Sequence, residues 1–298
     1  MHVIATPIPG LPWMAVALTA VLWGCGAESP QPVTDPARAQ RVVSLDFCAD
    51  QYVLKFVERE RILAVSPDAG REFSYMREAA AGLPTVRPVA EDVIILQPDL
   101  VVRSYGGGPR ASVLFERAGI PVYEVRWGQD VEEILKVTRE TARALGSADQ
   151  GMAVAAQMQD RLASLRARAN GIEVLYMTPT GVTSGPGSLI HEMLGAAGLK
   201  NYQTRPGWWP IPLERLAYEQ PDLVAVAFYE SLADHPHAWS AIRHPIARAQ
   251  LESGTVIPIE GAWTACGAWF LMDAVESLAR AGGVATPGRA PQHPSASP

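Results

Sequence analysis

The hydrophobic positions of the chain form short apolar runs separated by segments with helical spacing. The runs are typical of buried parallel strands, and segments such as 49–57 and 188–197 predict helices between them. This alternation predicts an α/β fold with mostly parallel sheets. The runs lie at residues 42–45, 100–102, 120–125, 173–177, 223–228 and 255–259.

One part of this pattern occurs twice. Residues 91–101 read Glu-Asp-Val-Ile-Ile-Leu-Gln-Pro-Asp-Leu-Val, and residues 214–224 read Glu-Arg-Leu-Ala-Tyr-Glu-Gln-Pro-Asp-Leu-Val. In both copies a proline, Pro98 or Pro221, ends a short helix because it cannot donate the helical hydrogen bond. A strand, loop and helix precede each copy, and a further strand follows it. The repeat predicts two Rossmann-like lobes, at residues 41–147 and 171–282.

A long helix is predicted between the two lobes. Residues 148–169 contain no proline, and their apolar side chains recur at helical spacing. A helix over 148–170 is roughly 30 Å long. It fits an ordinary amphipathic helix within one domain, but its place between the two copies favours a rigid connector. The periodic residues are Met152, Ala155, Met158, Leu162 and Leu165.

The N-terminus has the features of an export signal. The first 24 residues contain no Asp, Glu, Lys or Arg, and the apolar run at 11–23 suits a signal-peptide core. It ends in Leu-Trp-Gly before Cys25, an arrangement that resembles a lipobox. We therefore expect a signal peptide at 1–24, acylated Cys25 and a periplasmic, lipid-anchored protein. A plain cleavable signal or an N-terminal anchor helix is the alternative.

Two further segments are predicted to lie outside the lobes. Residues 25–40 contain several prolines among small and polar residues, which predicts a flexible tether. Residues 283–298, rich in proline, alanine and serine, predict a disordered tail.

Charge and cysteine content exclude some classes of protein. The net charge is −6, and no basic stripe of the kind that binds nucleic acid is visible. With Cys25 acylated, Cys48 and Cys266 remain, and an oxidising compartment favours a disulfide over a nucleophile or a metal pair. Unpaired buried thiols are the alternative.

No pattern for catalysis or metal binding is found. The chain lacks a Gly-x-Ser-x-Gly elbow, a phosphate-binding loop and a dinucleotide-binding glycine pattern, so an enzyme is not expected. His235, His237 and His244 fall in one predicted loop, without the converging ligands that zinc requires. The loop at 184–188 opens a helix and fits either an anion or an N-cap turn.

Candidate binding residues follow the predicted strands. Ligands of open α/β sheets lie beyond the carboxyl ends of the strands, and large aromatic side chains are concentrated there. Any single tryptophan also fits a core or surface-covering role, but several at both sets of strand ends favour a bulky, flat ligand. The candidates are Arg103, Tyr105, Trp127, Trp208, Trp209 and Trp263.

Taken in order along the chain, the motifs resemble a known family. Residues 41–50 (Arg-Val-Val-Ser-Leu-Asp-Phe-Cys-Ala-Asp), the two Gln-Pro-Asp-Leu-Val segments, residues 183–188 (Thr-Ser-Gly-Pro-Gly-Ser) and residues 263–267 (Trp-Thr-Ala-Cys-Gly) carry the resemblance. The chain is similar, over residues 41–280, to the cobalamin- and ferric-siderophore-binding proteins of ABC importers. These are the helical-backbone, class III solute-binding proteins.

The resemblance implies a function and several roles. A monomer would capture a corrinoid or ferric siderophore, whose metal belongs to the ligand, and deliver it to the permease subunits without a cofactor or a metal site of its own. Glu91 and Glu214 match the family's permease-docking glutamates, although compensation of a helix dipole also explains them. The family also places cysteines at the positions of Cys48 and Cys266.

The ligand class stays open at this stage. Tyr105, Trp208 or Trp209, and Trp263 match the aromatic lining of cobalamin binders. However, residues 86–87 are Val-Arg where an aromatic residue is expected in the closest vitamin B12 binder. A haem- or zinc-type receptor of the same architecture is the alternative, followed by an exported enzyme.

Overall fold

The computed structural model describes residues 35–165, 171–228 and 243–284. The predicted signal peptide, Cys25, His235, His237 and residues 285–298 of the predicted tail lie outside these ranges. None of the helices within the described ranges has the length and apolar character that a bilayer span requires.

The first lobe is built around a four-stranded parallel sheet. Its elements are β1 (Val42–Ser44), α1 (Phe47–Phe56), β2 (Ile62–Ala64), α2 (Arg77–Ala80), α3 (Ala90–Ile95), β3 (Leu100–Arg103), α4 (Ala111–Arg117), β4 (Val122–Glu124) and α5 (Val131–Ala144). The strand order is β2-β1-β3-β4, and all neighbours are parallel.

The second lobe repeats this arrangement after a long helix. Its elements are α6 (Ala148–Leu165), β5 (Glu173–Met177), β6 (Val182–Ser184), α7 (Leu189–Ala196), β7 (Lys200–Asn201), β8 (Trp208–Pro210), α8 (Leu213–Leu216), β9 (Leu223–Phe228), α9 (Pro245–Ser253), β10 (Thr255–Glu260), α10 (Gly261–Thr264) and α11 (Leu271–Val284). The parallel sheet β7-β5-β9-β10 corresponds strand by strand to that of the first lobe. The predicted α/β fold with two parallel-sheet lobes is confirmed.

The aspartate of the repeated segment fastens neighbouring strands together. The Asp99 carboxylate accepts hydrogen bonds from the backbone N–H groups of Gln40 and Arg41, at 2.9 and 2.8 Å. The equivalent Asp222 accepts one from the N–H of Glu173, at 2.8 Å. Each aspartate thus satisfies backbone donors where the adjacent strand begins, which explains why the same residue follows the proline in both copies.

Both sheets bury one face in a single shared core. Along β3, Leu100 and Val102 face this core, whereas Val101 faces an outer apolar layer of the first lobe. The same two-residue alternation occurs along β9. Because the shared core includes side chains of α1, α6 and α11, the lobes are packed against each other and do not form independent units.

The long helix α6 is braced by polar contacts as well. Arg161 donates hydrogen bonds to Asp273 and Glu276 of α11, both at 2.6 Å, and the Tyr75 hydroxyl of the first lobe donates to Asp273 at 2.8 Å. The Arg161 guanidinium lowers the pKa of Glu276. Residues 166–170, the last part of the predicted helix, lie outside the described residues.

Candidate functional site

A cavity of about 420 Å³ lies between the two lobes. Trp127 and Gln129 line it from the first lobe, just after β4, and the remaining lining comes from the second lobe, largely from residues at or after the ends of β5, β6 and α10. The described residues that line it are Trp127, Gln129, Tyr176, Thr178, Gly187, Ser188, Leu189, Ile190, Trp208, Thr264 and Ala265.

Two of the predicted aromatic residues line this cavity, Trp127 from the first lobe and Trp208 from the second. Trp127 is 49% exposed and Trp208 is 56% exposed, so both rings retain surface that a ligand can cover. Trp208 packs edge-to-face on buried Tyr176, with ring centroids 6.4 Å apart. Exposed aromatic rings on both walls are suited to a flat molecule, which is held by dispersion and apolar burial.

A covalent and closely packed seam joins the lobes beside the cavity. Cys48 at the start of α1 and Cys266 after α10 form a disulfide with Cα atoms 5.7 Å apart. At Gly267 an added Cβ would lie 2.5 Å from the carbonyl oxygen of Gly128. A side chain at position 267 would therefore push the two backbones apart at a point adjoining Trp127 and the Thr264–Ala265 wall.

Buried Asp46 fixes the loop that carries Tyr105. One of its carboxylate oxygens caps α1 through the N–H of Ala49. The other accepts the N–H groups of residues 104, 105 and 106, at 2.7, 3.0 and 2.9 Å. Glycine is required at 106, because a Cβ there would lie 2.5 Å from the Leu45 carbonyl oxygen.

Tyr105 lies at the carboxyl edge of the first sheet but does not line the cavity. Its ring is 53% exposed and meets Phe47 edge-to-face at 6.0 Å. Partial burial and then the charge of Asp46 raise the pKa of the Tyr105 hydroxyl, so this group is a neutral hydrogen-bonding partner at physiological pH.

Arg103 is held by polar contacts within the first lobe. It is 7% exposed, and its guanidinium donates to the Ser112 hydroxyl at 3.0 Å and lies 3.8 Å from Glu124. A further bond reaches the Tyr105 carbonyl. These contacts hold Arg103 within its own lobe, beside the Tyr105 loop, and Arg103 is not part of the described lining of the cavity.

Trp209 and Trp263 are also absent from the described lining of the cavity. Trp208 and Trp209 lie on β8, which pairs antiparallel with β6 and is not among the predicted strands. Because side chains alternate along a strand, Trp209 points away from Trp208 and stacks with Arg205 at 3.6 Å. Trp263, on α10, is partly buried against the shared core.

The described lining of the cavity is uncharged. Its polar members are Gln129, Thr178, Ser188 and Thr264, which offer neutral hydrogen-bond donors and acceptors. Over the described ranges, no group of three or more His, Cys, Asp or Glu side chains is placed to hold a metal ion. His244 caps α9 by accepting the N–H of Ile246.

The predicted docking glutamates occupy matching places on the two lobes. Glu91 lies on α3 and Glu214 on α8, and both are exposed. Their neighbours are paired within the lobe: Asp92 with Arg87, and Arg215 with Glu219, each at 2.7 Å. Within the described residues, neither Glu91 nor Glu214 has an ion-pair partner.

Two similar α/β lobes around one core, with a neutral aromatic cavity between them, define the class of two-lobed solute-binding proteins. The sequence pattern of the periplasmic binding protein family matches residues 50–233, more than half of the chain. The chain belongs to this family. The family consists of binding proteins, which confirms the prediction of a binder over an enzyme.

Proteins named for cobalamin or heme binding are similar to this chain. A cobalamin-binding protein of Halobacterium salinarum is 26% identical over 245 residues, covering 71% of this chain and 66% of the relative, slightly less than two thirds of its length. The periplasmic heme-binding protein HutB of Vibrio cholerae has a TM-score of 0.66 at 19% identity and covers 82% and 97% of the two chains.

A second solved structure is similar in fold. The periplasmic vitamin B12-binding protein BtuF of Vibrio cholerae has a TM-score of 0.60 at 20% identity, and the match covers 82% of this chain and 96% of that one. At these identities the two structural matches establish the fold alone.

Proposed function

We propose that this protein is the solute-binding component of an ABC importer and captures a corrinoid in the cavity between its lobes. The observation that carries this proposal is the lining, which combines Trp127 of the first lobe and Trp208 of the second with uncharged polar groups. A corrin ring offers an extended face for the indoles, and its amide side groups match neutral donors and acceptors such as Gln129 and Ser188.

The charge of the lining disfavours a ferric siderophore as the ligand. An anionic chelate bound away from water requires cationic partners. Of the three arginines near the strand ends, Arg103 is engaged with Ser112 and Glu124, and Arg205 stacks on Trp209. Arg126 is exposed and precedes Trp127 in the chain. None of the three is part of the described lining of the cavity.

Heme is the second candidate, because heme-binding proteins occur among the structural relatives. Heme carries two carboxylates and an iron that takes a protein ligand. A corrinoid can bring its own axial ligands to cobalt. The neutral hydrogen-bonding groups of the cavity match the amides of a corrin better than the carboxylates of heme, and this match favours the corrinoid.

A titration of the purified protein with cyanocobalamin, hemin and a ferric siderophore tests this proposal. We expect one cyanocobalamin per chain, and we expect Trp127→Ala or Trp208→Ala to weaken that binding by 10- to 100-fold, on the order of a lost aromatic hot spot. Trp209→Ala is the matched control, since it removes an indole from the other face of β8. The affinity of this variant for cyanocobalamin should stay within about twofold of the parent's.

Two results would contradict these assignments. Tight hemin binding without cyanocobalamin binding contradicts the corrinoid assignment. Equal loss of affinity in all three tryptophan variants contradicts the assignment of the site to the cavity.

Delivery requires contact with the membrane partner. In this proposal, acylated Cys25 holds a monomer at the periplasmic face of a membrane, and Glu91 and Glu214 dock into basic pockets of the permease. The support is their matched place in the repeat and their lack of an ion pair among the described residues. Complementary charges at such a contact set orientation and association rate.

A further inference from the structure

The two most exposed large apolar side chains of the described residues stand at equivalent positions. Ile95 is 78% exposed and Tyr218 is 91% exposed. Each follows the docking glutamate of its lobe by four residues in the repeated segment. A single exposed apolar side chain needs no explanation, but its occurrence at the same position of both copies, next to a glutamate unpaired among the described residues, indicates a shared role at an interface.

The charges around these side chains single out one carboxylate per lobe. Ion pairs within the lobe occupy Asp92 and Arg215, so Glu91 and Glu214 remain for an external partner. Each lobe thus presents one carboxylate and one apolar side chain, in the same order and at the same spacing.

The two helices that carry the glutamates begin at matching places in the two lobes. Before α3, the Pro88 carbonyl lies 3.7 Å from the position of a Cβ added at Gly107, in the loop after β3. Before α8, the N–H of Ile211 donates to the carbonyl of Gly181, after β5, at 3.1 Å. Both helices therefore begin at the carboxyl edges of the two sheets, the same edges that border the cavity.

We propose, on the basis of the proposed function, that Ile95 and Tyr218 are the apolar anchors of the permease-docking surface. Each inserts into an apolar recess next to the basic pocket that receives its glutamate. A partner built from two copies of one subunit presents such a recess twice, related by a twofold axis, and the repeat on this chain matches that symmetry. The glutamates steer the encounter, and the anchors supply apolar burial once water is excluded.

Site-specific photo-crosslinking in the native host tests the partner. Benzoylphenylalanine is placed at position 95 or 218 of the full chain, with positions 113 and 152 as controls because Val113 and Met152 are also exposed, at 47% and 56%. Positions 95 and 218 should both give an adduct with the same importer permease polypeptide, identified by mass spectrometry, and the controls should not. Adducts with a second copy of this chain, with lipid alone, or with different proteins at the two positions would overturn the proposal.

Affinity measurements separate the anchors from the glutamates. Binding of the purified chain to the detergent-solubilised permease should fall about tenfold for Ile95→Ser or Tyr218→Ser and about a hundredfold for both, since the sites are separate. Val113→Ser and Met152→Ser should bind as the parent does. Cyanocobalamin affinity should not change in any of these variants.

The glutamate variants make the two proposals distinguishable. If Glu91→Ala with Glu214→Ala weakens permease binding while the serine variants do not, the anchors are wrong and the docking glutamates stand. If neither set weakens it, the docking surface of the proposed function is wrong as well.

Discussion

Two buried carboxylates at the start of α1 differ in how their charge is accommodated. Asp46 accepts four backbone N–H groups and thereby shapes the loop that follows β3. Asp50 accepts hydrogen bonds from Ser66, at 3.1 Å from its N–H and 2.5 Å from its hydroxyl. Burial raises the pKa of Asp50 to about 6, and the bonds from Ser66 offset only part of that rise.

Asp50 makes stability depend on pH. Its pKa is higher in the folded chain than the ordinary 3.8, so the folded state holds its proton longer and loses stability as pH rises from about 4 to about 6. Asp50→Asn should remove this penalty. The free energy of unfolding of the variant, relative to that of the parent, should be about 2 kcal/mol higher at pH 7.5 than at pH 4. Urea unfolding at both pH values measures the difference. An equal effect of the substitution at the two pH values would contradict the assignment.

Sequence predicts which residues are near the site better than it predicts where their side chains point. Trp127 and Trp208 are found on the cavity because they follow or lie beside strand ends. Arg103 and Trp209 have the same sequence signal, but salt bridging and strand alternation turn them elsewhere. Tyr176, near the end of a predicted strand, also lines the cavity, although its position inside an apolar run is typical of a core residue.

At the scale of elements, the repeat carries most of the predictable information. The duplicated helix, proline and strand can be recognised from helix-breaking residues and apolar runs. They predict the two lobes and the parallel arrangement of the strands. The antiparallel ribbon β6–β8 is not predicted, since strands as short as Val182–Ser184 and Trp208–Pro210 leave too few residues for a periodic pattern. The place of Arg161 between two carboxylates also depends on tertiary packing.

The contact between α6 and α11 has a measurable energetic consequence. Arg161→Met keeps most of the apolar stem but leaves Asp273 and Glu276 without their cation, so we expect a loss of about 1–2 kcal/mol in the free energy of unfolding. Arg248→Met is the matched control, since its pair with Glu252 is about two-thirds exposed, and its cost should stay below about 0.5 kcal/mol. Calorimetric or denaturant unfolding measures the free energy of unfolding of both variants. Similar losses in the two variants would mean that this contact does not stabilise the packing of α6.

At the scale of the whole molecule, one core and one disulfide join two similar halves. The sequence indicates two lobes and a connecting helix, but it does not reveal that α1, α6 and α11 share a single apolar cluster. That cluster depends on contacts between residues far apart along the chain, such as the bond between Cys48 and Cys266. The consequence is a cleft whose two walls are held in a fixed relation, with Trp127 on one and Trp208 on the other.

The most direct measurement is a crystal structure of the protein grown with cyanocobalamin, with data collected at the cobalt absorption edge. We expect one anomalous peak per chain, in the cavity between Trp127 and Trp208, with the corrin ring against at least one indole. A cobalt peak outside this cavity, or a complex that never forms at saturating cyanocobalamin, would contradict it.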